Sequence, residues 1–88
     1  MEEKMTREDF EIITQLKNKI EYCSSNKEAK VYIDELKTIR YRYSGRVAYK
    51  LGDLISSLTE YSKRGNNKES WENFVNQDYF ILESFIDQ

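Results

Sequence analysis

From Val47 onward the apolar residues Leu51, Leu54, Leu58 and Tyr61 follow one another at spacings of four, three, four and three. Only an α-helix gathers such positions onto one face, since a strand would need strict alternation. The seam can run unbroken because the chain has no proline and only three glycines, the residues that most often interrupt helices. One apolar face must be buried against another element, and the rest of the chain offers more faces of the same kind.

Phe10, Ile13, Leu16, Ile20 and Cys23 form a stripe on a first helix, with Thr6 placed as its N-cap, Asp9 at its third position, and Met5 and Phe10 placed for a hydrophobic staple. Ser25 and Glu28 are spaced as a capping box for a second, whose stripe is Ala29, Ile33, Leu36, Ile39 or Arg40, and Tyr43. Gly65 is a natural cap after the Val47 seam, and Asn66 and Asn67, with Glu69, open a last helical region carrying Trp71, Phe74, Val75, Leu82, Phe85 and Ile86. The polar Asn76-Gln77-Asp78 interrupts that last stripe, which predicts two short helices with Asp78 capping the second. If Gly45 breaks the chain the result is four short helices; if not, residues 26–64 form one long helix. Tyr43-Ser44-Gly45 combines three poor helix formers and favours the break. The expected fold is all-α, a small up-down bundle of three to four helices in one domain, residues 1–88.

Eighty-eight residues bury only about 60–65% of the surface that the unfolded chain exposes, so oligomerisation would add stability. A lone cysteine forms no internal disulfide, the start MEEKMTREDF holds no apolar signal region, and the longest unbroken apolar run is Tyr79 to Leu82. These features predict a cytoplasmic protein that does not cross a membrane. With no histidine in the chain, the usual zinc spacings cannot occur and no nucleophile has an imidazole base, so neither a metal, a cofactor nor catalysis is expected. Cys23 lies on an apolar stripe, and the carboxylate pairs Glu2–Glu3, Glu8–Asp9 and Asp34–Glu35 fall at helix starts or on polar faces.

One stretch stands apart. Between Lys37 and Lys50 lie five basic residues and no acidic one, which leaves nine of the fourteen basic groups and all sixteen acidic groups to the other 74 residues. At its centre, RYRYSGR alternates arginine with tyrosine. Arg40 and Arg42 fit the last turn of the second helix, where cations complement the helix dipole and can hydrogen-bond the final carbonyls. Arg46 and Lys50 would sit at the unfavourable start of the third. The excess positive charge could be met by acidic residues of a neighbouring helix, by a partner's carboxylates or by phosphate. Arg40, Tyr41, Arg42, Arg46, Tyr49 and Lys50 are therefore the candidate partner-binding residues, with Tyr43 adding contact area.

A second candidate lies in DYFILESFI, where Tyr79, Phe80, Ile81 and Leu82 point to every side of a helix although a surface helix needs one apolar stripe. Tyr79, Phe80 and Ile81 are the candidate dimer or partner interface. Small acidic helical bundles poor in cysteine occur among immunity proteins, antitoxins, phage-encoded inhibitors and transcription-factor accessory proteins, which this chain resembles in class only. The expected function is a non-enzymatic helical protein, homodimeric, that occludes or regulates a protein partner. The alternatives are nucleic-acid binding through residues 37–50, disfavoured by the acidic remainder, and a self-assembling structural subunit.

Overall fold

Thr6 caps the first helix as its position suggests, its side-chain oxygen accepting from the Asp9 N–H at 3.1 Å. In the computed structural model, which describes residues 4–86, that helix is α1, Arg7–Glu21. Ser25 caps α2, Asn26–Arg40, by accepting from the Glu28 N–H. Gly45 then breaks the chain: its φ of +62° is a left-handed conformation that glycine adopts without penalty, and α3, Gly45–Lys63, starts anew there. At the far end of α3, Gly65 takes φ +69°, and the N–H groups of Gly65 and Asn66 bond back to the carbonyls of Ser62 and Tyr61. This is the six-to-one and five-to-two pairing of a Schellman stop.

Asn67 caps the last region by accepting from the N–H groups of Glu69 and Ser70. Here the structure corrects the sequence reading. Residues 76–78 do not break the helix; α4, Lys68–Ser70, a π-helical turn, Trp71–Val75, and α5, Asn76–Glu83, run on without interruption as one C-terminal helix. The irregularity lies one turn earlier, where the Asn76 N–H reaches back five residues to the Trp71 carbonyl. Asp78 is not a cap: it lies inside α5, accepting from the Ser57 hydroxyl at 2.7 Å across the interface with α3.

The loops between helices are short, so neighbours run antiparallel. α2 packs against α1 and α3, and the C-terminal helix packs against α3. Among the described residues this gives a small up-down bundle of four helices. Its centre is filled by Ile13 and Ile20 of α1, Leu36 of α2, the Val47, Leu51, Leu54 and Leu58 seam of α3, and Val75 and Leu82, all fully buried. Trp71 tilts against Tyr61 with ring centroids 4.7 Å apart. Lys17, on the inner side of α1, is also buried, its ammonium 5.1 Å from the Trp71 ring and 4.5 Å from the Tyr79 ring, a distance at which the ring quadrupoles attract a cation. Met5 completes the core; its N–H donates to the Phe85 carbonyl at 2.9 Å and it pairs with Ile86 in an isolated parallel bridge. No helix among the described residues is long and apolar enough to cross a membrane.

Candidate partner-binding surface

This packing brings residues 5–9, the α2–α3 turn, the first two turns of α3 and the tail of α5 to one end of the bundle. Arg40, Tyr41, Arg42, Arg46, Tyr49, Lys50 and Ile81 lie at this end, and it sorts their charges. Arg42 lies past the end of α2, in the turn, rather than in the helix's last turn as expected. Its guanidinium donates to one Asp9 carboxylate oxygen at 2.9 Å. The Tyr43 hydroxyl donates to the other at 2.5 Å while accepting from the Thr6 N–H at 3.1 Å. Asp9, read from sequence as a helix-start carboxylate, is thus a buried acceptor. Lys50 pairs with Asp53 at 3.2 Å and faces Asp78 at 3.8 Å. Arg42 and Lys50 therefore meet acidic residues of their own chain.

Arg40 behaves differently. Its Nε donates to the Ala48 carbonyl of α3 at 3.0 Å, and among the described residues no carboxylate lies within ion-pair distance of it. Beside it Tyr41 and Tyr49 are 86% and 69% exposed. Tyr49 also forms part of a groove of about 430 Å³ between α3 and α5, lined by Gly45, Arg46, Tyr49, Lys50, Ile81 and Phe85. Two candidates that were separate in the sequence, the basic stretch and the YFIL run, so meet in one depression. Only part of that run is available to a partner. Tyr79 is engaged by its own chain, its ring stacked on Phe10 at 5.0 Å and its hydroxyl 2.8 Å from that of Thr14. Leu82 is fully buried, Ile81 half-buried, and Phe80 stands out at 65% exposure.

Burial raises the titration of several protonated groups. The Tyr43 hydroxyl is raised above its ordinary 10.0 by burial and then by its bond to Asp9, Tyr61 is raised by burial, and the Cys23 thiol is pushed above 9.0 by burial. The Lys50 ammonium is held above 10.5 chiefly by its bond to Asp53. Each of these groups holds its proton more firmly in the folded state, so its contribution is complete below its ordinary value and is lost as pH rises through the raised one. Lys17 acts oppositely: burial lowers it below 10.5, so its penalty is relieved as pH rises towards that value. With four groups against one, the urea midpoint should fall steadily above about pH 9. Replacing Cys23 by Ala should remove the earliest part of that decline; an unchanged profile would show that the thiol does not titrate with unfolding.

No family model, curated protein or solved structure matches the chain, so the functional reading rests on this surface.

Proposed function

We propose that this chain is a non-enzymatic binding protein of inhibitor or regulator type, which occludes a partner protein by holding an acidic segment of it against the α3–α5 groove. The observation that carries the reading is the groove itself. An exposed tyrosine, an isoleucine and a phenylalanine line a depression bounded by Arg46 and Lys50, with Arg40 nearby. The apolar centre suits an anchoring side chain, and Arg40, bonded to the carbonyl of the residue before Tyr49 and with no carboxylate within ion-pair distance among the described residues, suits an acidic residue flanking it. Catalysis is disfavoured by the state of the one cysteine: Cys23 is buried, its Sγ donates to the Lys19 carbonyl, and its raised titration keeps it a thiol near neutrality. The cytoplasm, where a free thiol persists, is the setting this reading implies.

Selection of random peptides on the immobilised protein tests it. Enriched sequences should combine two or more acidic residues with a large apolar one, and Tyr49→Asp should abolish their retention while the helical circular-dichroism signal stays intact. Enrichment of basic or charge-free peptides would refute the reading. Two further outcomes would replace the occupant. If sedimentation equilibrium showed a micromolar dimer that Phe80→Glu dissociates, a second copy would fill the surface; the exposure of Phe80 makes that substitution harmless to folding, within about 0.5 kcal/mol. Saturable binding of DNA or RNA oligonucleotides tighter than about 10 μM near physiological salt, beyond ordinary non-specific association, would make the ligand a nucleic acid.

A further inference from the structure

Gly52 lies in the interior of α3, away from any turn, and takes no left-handed conformation; the positive-φ glycines are Gly45 and Gly65. A glycine there is a poorer helix former than alanine. Its backbone conformation does not require it. The three heavy atoms nearest a Cβ at position 52 would all belong to the guanidinium of Arg40: Cζ at 2.9 Å, Nη2 at 3.0 Å and Nε at 3.2 Å. The missing side chain is the space in which the guanidinium lies.

The hydrogen bonding shows what that placement does. Arg40 is the last residue of α2, where an arginine would ordinarily turn back to the final carbonyls of its own helix. It instead crosses to α3 and donates through Nε to the Ala48 carbonyl, one helical turn before Gly52. With Nε engaged, the edge formed by Nη1 and Nη2 remains for a ligand. Two parallel N–H donors at that spacing match the two oxygens of a carboxylate. The neighbouring cations Arg42 and Lys50 already have Asp9, Asp53 and Asp78, so the seat offers one pre-positioned charge suited to a monoanion rather than to a phosphate dianion.

We infer that Arg40, seated on Gly52, is the arm that recognises a carboxylate of the acidic partner segment, and that Gly52 is a positioning residue for it. The inference rests on the binding function proposed above. Fixing the guanidinium in advance removes part of the side-chain ordering that binding otherwise requires.

The test compares wild type with Gly52→Ala and Arg40→Gln. An acidic peptide recovered by the selection serves as probe, with its Glu→Gln counterpart as control, by titration calorimetry. Both variants should bind the acidic peptide about tenfold more weakly, the effect of losing one charge-assisted pair, and neither should alter binding of the control. Gly52→Ala should meanwhile unfold at an equal or higher urea concentration, because alanine is the better helix former. The seat itself is read without any ligand: the Arg40 Nε–H should give a slowly exchanging nitrogen-15 NMR resonance that Gly52→Ala abolishes. Wild-type binding retained by both variants would overturn the role of Arg40 while leaving the binding function standing. Failure of wild type to bind any acidic peptide would remove both. Competition by inorganic phosphate at micromolar concentration would reassign the seat to phosphate.

Discussion

Trp71→Ala is expected to remove about 3–5 kcal/mol of folding free energy. A chain this small has on the order of 5–10 kcal/mol in total, so urea unfolding should show half or more of the stability gone. The indole is buried at the first residue of the π-turn, tilted against Tyr61, and forms one face of the space around the Lys17 ammonium. Truncation would leave a cavity and strip a buried cation of one of its two rings. Trp71→Phe keeps a ring in place and should cost markedly less. A loss below about 1.5 kcal/mol for Trp71→Ala would mean that the C-terminal helix collapses readily into the space, and that the π-turn is not held by this side chain.

Asp9→Ala is the second large effect, about 2–3 kcal/mol, because it leaves the part-buried Tyr43 hydroxyl without its acceptor and releases Arg42 from its ion pair. The Tyr43 hydroxyl would lose its acceptor in a part-buried site, and Arg42 would lose the carboxylate that draws the α2–α3 turn onto the start of α1. With Asp9 as its partner, Arg42→Glu should be destabilising, since it sets two carboxylates face to face. Tyr43→Phe isolates the hydroxyl and should cost about 1–1.5 kcal/mol. A double-mutant cycle between positions 9 and 43 should give a coupling above about 0.5 kcal/mol, and additivity would show that the short hydrogen bond contributes nothing net.

Helix boundaries were legible in the sequence because their signals are local. Thr6, Ser25 and Asn67 each accept from a backbone N–H two or three residues ahead, and Gly45 and Gly65 each take the left-handed conformation that their positions demanded. The π-turn was not legible. One extra residue in a turn leaves Trp71, Val75, Tyr79 and Leu82 at spacings that an ordinary helix also produces, so the visible polar triplet at 76–78 drew the expected break to the wrong turn. The surface was legible in composition but not in bookkeeping of charge. The sequence shows an unopposed run of cations; which of them find carboxylates depends on Asp9 and Asp78, brought in by tertiary packing from other helices. Gly52 was silent for a related reason: a helical glycine reads as a tolerated cost until the guanidinium lying on it is seen.

The bond between the Met5 N–H and the Phe85 carbonyl joins positions 80 residues apart in the chain. Loop closure of that length comes late in folding, because its entropic cost is met only after the intervening helices have shortened the path. During synthesis the order is stricter still: α1, α2 and α3 can form and pair while the chain is growing, but Met5 has no counterpart until residues 85 and 86 have cleared the ribosome exit tunnel. The groove beside Phe85 is completed by the same event. A nascent chain would therefore carry its first three helices well before it carried its binding surface, and the surface would become available to a partner only once the α5 tail had emerged and docked.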